Sequence, residues 1–341
     1  MVRSRVLLAA AVLVTLPLAG VTSHAATVRE PVAFTVTNPL DPGKTYTVHG
    51  VLVRPAAGCS GSVLLAMHGL SYGAWAWDFP LRPETYSVAQ ALADRGFATL
   101  AVDELGYGTS AGEGAPDHPN GYTLTVESYA EMTAQMVAQI RAGTYQAASP
   151  TPFSHVGLLG HSAGSEIVEL AAGLHPGIAD VVIATGYTHE PFVDNDWLIR
   201  EWSQDNLRAL QDDYEYFETN PTIRAHDMYW LPNADADVVG LDTSMANLTP
   251  SGEVFSIGIQ PSRFVLWRIT VPVLVVLGEH DALFPGRFGP NEMKLFLGAK
   301  DKTLRIAQNA GHAMMLQRNA PSTNTKIANW LDAHQGKLPH C

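Results

Sequence analysis

The chain has 341 residues, of which 46% are hydrophobic and 16% are charged, a composition typical of a globular protein rather than a disordered one. Its formal net charge is −12, from 21 basic and 33 acidic residues, with no cluster of Lys or Arg after the N-terminal segment. Because nucleic acids and anionic membrane surfaces are bound through basic patches, this charge argues against both classes of partner.

The first 25 residues have the pattern of a secretory signal peptide. Arg3 and Arg5 form a positive segment, residues 6–20 are almost wholly apolar, and small residues precede a cleavage position after Ala25. An apolar run of about 15 residues is short for a membrane span. We therefore predict a secreted, extracellular protein without stable membrane insertion, and a retained anchor is the alternative.

Two cysteines, Cys59 and Cys341, form an even pair in a chain that we expect to meet an oxidising environment. No base lies next to Cys59 in the sequence, and the spacing of the pair is not that of a zinc site. We predict an intrachain disulfide between them. An intermolecular bridge or two free thiols are the alternatives.

Short apolar runs alternate with amphipathic stretches along the rest of the chain. Residues 32–37 and 45–53 are β-rich and are joined by a cluster of turn residues, which predicts a hairpin. The apolar pattern predicts further strands at 62–67, 97–102, 155–159, 178–184, 271–277 and 302–306, and helices at 86–95, 127–141, 163–174 and 323–334. This alternation predicts an α/β fold: a mostly parallel central sheet with an N-terminal antiparallel hairpin and helices on both faces.

Residues 187–268 interrupt the alternation. A connection of this length between consecutive strands is far longer than an ordinary loop, and it is rich in aromatic residues. Its first part, 196–216, has helical periodicity, and its second part is irregular. We predict an inserted cap or lid over the carboxyl ends of the strands, between two parts of the core at 26–186 and 269–341. The alternative for many of the aromatic residues is that they form only the small core of the cap.

One motif indicates covalent catalysis. The segment Gly160-His161-Ser162-Ala163-Gly164 follows a predicted strand and opens a predicted helix. Gly-x-Ser-x-Gly alone is a weak signal, but a strand-to-helix turn exposes the serine hydroxyl and places helix N–H groups near it. The flanking glycines are needed because side chains at those positions would clash. We therefore predict that Ser162 is a nucleophile.

A serine nucleophile needs a base, and the base needs a group that orients it. His312 follows the predicted strand at 302–306 and is the best base, while Asp281 directly follows the strand at 271–277. Other acids compete with Asp281 in the same turn or after the preceding strand: Glu279, Glu190 and Asp194. The acids and histidines of this turn have no metal-ligand motif, so we expect no metal and no organic cofactor.

The order Ser162, Asp281, His312 resembles that of the α/β-hydrolase superfamily. The dipeptide His68-Gly69 is similar to the family's oxyanion-hole turn, and residues 103–110 are similar to its turn after the next strand. The resemblance implies the α/β-hydrolase fold with a cap, and an activity like that of a secreted serine esterase or lactonase. It also implies an oxyanion hole formed by the backbone N–H groups of Leu70 and Ala163. We predict that Asp103 caps its turn and is not catalytic.

Several aromatic and histidine side chains are candidates for the substrate pocket. Trp75 and Trp77 closely follow the oxyanion turn, and a hydrophobic plug beside the first core strand is the alternative for them. His68 and His161 flank the site, and either one could instead brace the backbone around it. The complete set of candidates is His68, Trp75, Trp77, His161, Tyr187, Trp197, Trp202 and Trp230.

The sequence predicts a serine hydrolase that cleaves a carboxylic ester or lactone of a mainly apolar small molecule through an acyl-enzyme. A peptidase, an amidase or an acyltransferase on the same fold is the alternative. A non-catalytic binding protein on a hydrolase scaffold is disfavoured by the presence of all three catalytic residue types.

Overall fold

The computed structural model describes residues 26–59, 61–112, 118–190 and 214–341. The predicted signal peptide, the candidate pocket residues Trp197 and Trp202, and most of the predicted helix at 196–216 lie outside the described residues. Across the described ranges, no helix combines the length and the apolar character needed to cross a membrane.

The described part of the chain contains strands that are short and mostly buried. In chain order they are β1 (Thr27–Val36), β2 (Tyr46–Pro55), β3 (Ser62–Met67), β4 (Thr99–Val102), β5 (His155–His161), β6 (Val181–Thr185), β7 (Tyr216–Phe217), β8 (Thr249–Pro250), β9 (Val273–Gly278) and β10 (Lys302–Ala307). The helices in the same ranges are α1 (Pro83–Tyr86), α2 (Val88–Ala93), α3 (Val126–Ala142), α4 (Ala163–Leu174), α5 (Pro221–Met228), α6 (Ala236–Ser244), α7 (Ser251–Ile257), α8 (Gly289–Glu292) and α9 (Ala320–Ala333).

Eight of these strands form one central sheet in the spatial order β1-β2-β4-β3-β5-β6-β9-β10. β1 and β2 pair antiparallel, as do β2 and β4, while the pairs from β4 to β10 are parallel. This topology confirms the predicted mostly parallel sheet with an N-terminal antiparallel hairpin. β3, β4, β6 and β9 are buried along their whole length, as expected for parallel strands covered on both faces.

Successive side chains of the central strands enter two different cores. On β3, Val63 and Leu65 pack into one core with α3 and α4, whereas Leu64 packs into the other with α2 and α9. The alternation follows from the two-residue period of a strand, and it confirms helices on both faces of the sheet.

The predicted boundaries differ from the observed ones where local capping competes with the apolar pattern. The predicted helix 86–95 is divided, because Ser87 adopts an extended conformation and its hydroxyl accepts a hydrogen bond from the backbone N–H of Gln90 at 2.8 Å. β5 continues two residues further than predicted, to His161, so that Ser162 follows the strand directly. The break at Ser87 is of a common kind, because serine is a preferred residue at the N-terminal cap of a helix.

The described residues between β6 and β9 pack closely on the rest of the molecule. α7 contacts α3, and the turns at 261–268 contact α4. β7 and β8 form a separate two-stranded antiparallel ladder. The assignment of residues 187–268 as a cap stays a prediction.

The predicted intrachain disulfide joins Cys59 to Cys341 across 282 positions of sequence. The backbone N–H of Cys341 also donates to the carbonyl of Gly96 at 2.7 Å, and His340 packs edge-on against Phe97 with ring centroids 4.5 Å apart. The C-terminus is therefore attached to the core by covalent, polar and aromatic contacts together.

Replacing both cysteines by serine is expected to lower the free energy of unfolding by about 2–5 kcal/mol, since the unfolded chain regains the freedom that a long closed loop removes. Thermal unfolding with and without a reductant measures this effect. Reductant should lower the Tm of the wild type and leave the Cys59→Ser/Cys341→Ser variant unchanged. Equal Tm values for the variant and the oxidised wild type would contradict the prediction.

Candidate active site

Ser162 lies at a strained turn between β5 and α4. Its backbone has φ 55° and ψ −122°, a conformation that is rare for residues other than glycine. The turn is held by a hydrogen bond from the N–H of Ser162 to the carbonyl of Thr185 at 2.8 Å. Ser162 is buried but remains 7% exposed.

The two glycines of the motif are required by the close approach of backbone atoms. A Cβ on Gly160 would lie 2.3 Å from the carbonyl oxygen of Gly164, and a Cβ on Gly164 would lie 2.3 Å from the carbonyl oxygen of His68. Both contacts are with backbone, which cannot move aside as a flexible side chain can. These distances confirm the prediction that side chains at the two glycine positions would clash.

His312 and Asp281 form a buried pair. Nδ1 of His312 lies 2.9 Å from Oδ2 of Asp281, and the other carboxylate oxygen, Oδ1, accepts from the backbone N–H groups of Leu283 at 2.8 Å and Phe284 at 2.9 Å. When Nδ1–H of the neutral imidazole donates to Asp281, Nε2 carries no proton and is a hydrogen-bond acceptor. This Nε2 is buried and has no hydrogen-bond partner among the described residues.

The competing acid in the same turn has a different environment. Oε2 of Glu279 accepts from the backbone N–H of Asn309 at 2.8 Å, and its side chain is 39% exposed. Glu279 therefore caps a surface turn, whereas Asp281 pairs with His312.

The turn at residues 160–164, here called the serine elbow, meets the loop that carries His312 and the oxyanion turn at residues 68–70 around Gly186 and Gly69. A Cβ on Gly186 would lie 2.8 Å from the ring of His161 and 3.3 Å from that of His312, and the two rings have centroids 4.8 Å apart. A Cβ on Gly69 would lie 2.8 Å from Cβ of Ser162. The predicted nucleophile, base and oxyanion turn thus occupy one site.

The backbone N–H groups of Leu70 and Ala163 donate no hydrogen bond to any described residue. The turn that carries Leu70 is braced by His68, whose Nδ1–H donates to the Gly69 carbonyl at 2.8 Å and whose Nε2 accepts from the Glu104 N–H at 3.1 Å. Burial lowers the pKa of His68 to about 4, which keeps the ring neutral and suits this arrangement. Since both ring nitrogens bind backbone, His68 offers none to a substrate, and its place among the pocket candidates is corrected to a bracing role.

A buried ion pair that the sequence analysis did not identify lies behind the oxyanion turn. Arg224 on α5 donates from Nε and Nη2 to the carboxylate of Asp242 on α6, at 3.1 Å and 2.8 Å, and from Nη1 to Oγ of Ser71. The same Ser71 hydroxyl donates to the carbonyl of Leu70 at 2.5 Å, and Ser71 has a φ of 64°. The guanidinium also lies 4.2 Å from the ring centroid of Tyr72. A single arginine in a short helix carries no periodic signal in the sequence.

Separating this ion pair is expected to be costly. Arg224→Met or Asp242→Asn alone leaves a buried charge without its partner, which should lower the free energy of unfolding by about 3–5 kcal/mol. The double variant Arg224→Met/Asp242→Leu should recover most of that loss, because two well-packed apolar side chains replace the pair. Denaturant unfolding of the three variants measures this, and single variants as stable as the double variant would contradict it.

Two further contacts hold the turn from outside the sheet. Asn247 donates from its backbone N–H to the Ser71 carbonyl and from its side chain to the Tyr72 carbonyl, both at 2.8 Å. Asp103 accepts from the N–H of Ala74 at 2.7 Å and from the N–H and hydroxyl of Thr109 at 2.9 Å and 2.6 Å. Asp103 therefore caps its turn, as predicted.

The remaining pocket candidates among the described residues differ in their distance from the His312–Asp281 pair. His161 donates from Nδ1 to the hydroxyl of Thr185 at 3.1 Å, which itself donates to a backbone carbonyl, and burial lowers the pKa of His161 well below its usual value. Its Nε2 is buried and has no partner within the described ranges. Tyr72 and Trp77 meet its ring edge-on, with centroids 5.9 Å and 6.5 Å away, and Trp75 lies beside Tyr72 at 5.3 Å. These rings pack around His161, and their contact with a substrate stays a prediction.

Two candidates lie one layer further out. The hydroxyl of Tyr187 donates to the carboxylate of Glu166, and its ring is 4.9 Å from Phe284, which in turn is 5.8 Å from the ring of His312. Trp230 stacks on His280 with ring centroids 4.0 Å apart. A direct role of these side chains in substrate binding stays a prediction.

The buried carboxyl group of Glu253 makes the stability of the protein depend on pH. Burial raises the pKa of Glu253, which accepts a hydrogen bond from the hydroxyl of Tyr107, to about 8. The folded protein therefore retains a proton that the unfolded chain releases near pH 4.5. The stability from this group is fully present below that pH and is lost as the pH rises to about 8.

We expect Glu253→Gln to flatten this alkaline decline by up to about 1.4 kcal/mol per pH unit, the value of one proton. Urea unfolding at several pH values between 5 and 8 measures it. The contribution of His68 to the pH dependence of stability has the opposite sign. Because its pKa is lowered in the folded protein, stability falls as the pH drops from about 6.5 towards about 4. His68 is the same in both proteins, so its contribution cancels in the difference between their curves. That difference reports Glu253 together with the buried Glu104, whose pKa the Glu253 carboxylate helps to raise. Parallel curves would contradict the prediction.

Known proteins resemble this chain along most of its length. The sequence model of the alpha/beta hydrolase family matches residues 63–321. A 2-(acetamidomethylene)succinate hydrolase from Mesorhizobium japonicum is 26% identical over 238 residues, which are 66% of this chain and 73% of that protein.

Two solved structures show the same fold at low sequence identity. A thermophilic esterase from Thermogutta terrifontis has a TM-score of 0.62 at 18% identity and covers 88% of this chain and 98% of its own. A soluble variant of monoglyceride lipase from Saccharomyces cerevisiae also has a TM-score of 0.62, at 13% identity, and covers 85% of this chain and 92% of its own. Together with the family match over three quarters of the sequence, the sheet order and the position of the serine elbow lead to one conclusion. The chain belongs to the alpha/beta hydrolase family and is a hydrolase.

Proposed function

We propose that this hydrolase is a secreted serine esterase that cleaves a carboxylic ester or lactone of a mainly apolar small molecule. The observation that carries the proposal is the buried pair of His312 and Asp281, with an unpartnered Nε2, beside the strained turn of Ser162. Secretion is supported by the N-terminal sequence pattern and by the disulfide.

In the proposed reaction, Oγ of Ser162 attacks the carbonyl carbon while Nε2 of His312 takes the hydroxyl proton. The negative charge that develops on the carbonyl oxygen is held by the N–H groups of Leu70 and Ala163. The C–O bond then breaks, and His312 returns its proton to the leaving alkoxide. Water deprotonated by His312 attacks the acyl-enzyme, releases the acid and restores Ser162.

An amide bond is the second candidate target, because the name of the 26% identical relative describes an acetamido compound. The same name describes a succinate, whose two carboxylates call for cationic partners. Among the described residues, Arg224 contacts the oxyanion turn, and its guanidinium already binds Asp242 and Ser71. The rings beside His161 are aromatic and uncharged. These surroundings favour an apolar ester over a dicarboxylate amide.

The test compares p-nitrophenyl esters with p-nitroanilides that carry the same acyl group, and adds aliphatic lactones of increasing ring size. We expect the esters to react much faster than the matched anilides, and the longer or aromatic acyl groups to have the lower KM. Faster turnover of the anilides would overturn the esterase assignment in favour of an amidase. Absence of turnover together with absence of fluorophosphonate labelling would overturn the serine-hydrolase mechanism itself.

A further inference from the structure

The peptide unit that carries the N–H of Leu70 is held at its carbonyl end. This N–H and the carbonyl of Gly69 belong to one planar peptide unit, so they move together. The Gly69 carbonyl accepts from Nδ1 of His68 at 2.8 Å and from the backbone N–H of Tyr72 at 3.1 Å. The direction of the Leu70 N–H therefore depends on the conformation of residues 68–72 as a whole.

The next peptide unit is held from a distant part of the chain. Nη1 of Arg224 donates to Oγ of Ser71, and this hydroxyl donates to the carbonyl of Leu70 at 2.5 Å. Arg224 lies on α5, in the long connection between β6 and β9. One guanidinium thus binds, through a single hydroxyl, the peptide unit that adjoins the one with the Leu70 N–H.

The backbone of Ser71 needs such contacts because it is strained. Its φ is 64°, in the left-handed region that residues other than glycine rarely adopt. A strained conformation persists only where its surroundings fix it. The second contact from the same connection is Asn247, whose backbone N–H donates to the Ser71 carbonyl at 2.8 Å. Loss of the contact with Arg224 would allow Ser71 to relax, and the Leu70 N–H would move with it.

Arg224 is itself held in one position. Its Nε and Nη2 donate to the carboxylate of Asp242 at 3.1 Å and 2.8 Å, and its Cζ lies 4.2 Å from the ring centroid of Tyr72. The side chains of Arg224 and Asp242 are fully buried. A planar guanidinium can bind a carboxylate with two N–H groups and direct a third to another acceptor. The ion pair therefore gives the Ser71 hydroxyl a fixed donor.

We propose that Arg224 is a positioning residue for ester cleavage, which fixes the Leu70 N–H towards the developing oxyanion through the hydroxyl of Ser71. The inference rests on the proposed function, because it assigns Arg224 to the reaction of Ser162. Arg224 touches no reacting atom in this scheme, and Asp242 acts by holding Arg224. An oxyanion donor stabilises the transition state more than the bound substrate. A displaced Leu70 N–H should therefore lower the rate of acylation more than the affinity for the ester.

The test separates the reaction rate from stability with two variants. Ser71→Ala removes the hydroxyl and leaves Arg224 and Asp242 paired, whereas Arg224→Met/Asp242→Leu removes the pair and is expected to keep most of the stability. In each variant the single-turnover acylation rate with a p-nitrophenyl ester should fall about 10- to 100-fold, and the half-saturating ester concentration should change no more than about twofold. If Arg224 acted through stability alone, the double variant would react at the wild-type rate.

Arg141→Met is the matched control, because Arg141 also joins a carboxylate to backbone groups. Its guanidinium donates to Asp180 at 3.1 Å and to the carbonyls of Ser154 and Ile178 at 2.7 Å and 3.1 Å. These three residues precede β5 or β6, whereas Ser162 follows the carboxyl end of β5. Arg141→Met should lose stability and keep its acylation rate within about twofold of the wild type.

Three results would overturn the inference and leave the proposed function intact. Ser71→Ala could react at the wild-type rate, or the double variant could recover its rate together with its stability. The third is a higher half-saturating ester concentration at an unchanged rate, which would assign Arg224 to substrate binding. Should the double variant fail to fold, Ser71→Ala decides.

Failure of the proposed function gives a different result. The wild type would then neither cleave the ester nor react with a fluorophosphonate at Ser162, and the inference would fall with the function. If the wild type is labelled but cleaves the ester too slowly to measure, the labelling rates of the same variants replace the acylation rates. The phosphonyl oxygen also gains negative charge during the attack by Ser162, so the same 10- to 100-fold loss of about one to two powers of ten is expected.

Discussion

Ser162→Ala is expected to lower kcat for an ester substrate by about 10⁵- to 10⁶-fold, the loss typical when a serine hydrolase is deprived of its nucleophile. The oxyanion donors and the binding surface remain in the variant, so a residual rate above that in water should persist. Steady-state and single-turnover kinetics with a p-nitrophenyl ester measure the loss. Fluorophosphonate labelling of the wild type, and not of the variant, would locate the reactive hydroxyl.

The control for this variant is a serine with a structural role. Ser87 caps α2 and donates from its hydroxyl to Asp78 at 2.7 Å, and it is none of the residues proposed to act in catalysis. Ser87→Ala should lose about 1 kcal/mol of stability and retain full turnover. Full turnover or undiminished labelling of Ser162→Ala would refute the proposed mechanism.

Asp281→Asn is expected to lower kcat by about 10⁴-fold through the tautomer of His312. Oδ1 of Asp281 accepts two backbone N–H groups, so an asparagine would keep its oxygen there and turn its NH₂ group towards His312. Nδ1 of the imidazole would then have to accept a hydrogen bond and Nε2 would carry the proton. An Nε2 that is already protonated cannot take the proton of Ser162.

Glu279→Gln is the matched control, because Glu279 lies two residues from Asp281 in the same turn and accepts only from the backbone of Asn309 among the described residues. It should keep kcat within about twofold of the wild type, as expected for a surface substitution. A large loss in Glu279→Gln with little loss in Asp281→Asn would transfer the orienting role to the acid that the structure places at the surface.

The sequence by itself was sufficient for the architecture of the sheet and for the three residues proposed to act in catalysis. β3 was predicted at its observed bounds, and α4 likewise, because a short apolar run and a helical period are local signals. The glycines of the elbow could be interpreted because the motif describes one turn of five residues. The disulfide was predictable because only two cysteines were available to pair.

Only the tertiary structure decided which polar groups meet across long stretches of sequence. Arg224 reaches Ser71 over 153 positions. The backbone N–H of Glu104 donates to a ring nitrogen of His68, for which the sequence had left both a bracing role and a pocket role open. Glu169 and Glu292 approach His189 from helices that no local pattern relates. The physical reason is that periodicity and turn chemistry depend on neighbours in the chain, whereas the partner of a buried charge is selected by packing. Burial makes an unpaired charge too costly, but it does not specify in the sequence which residue will pair with it.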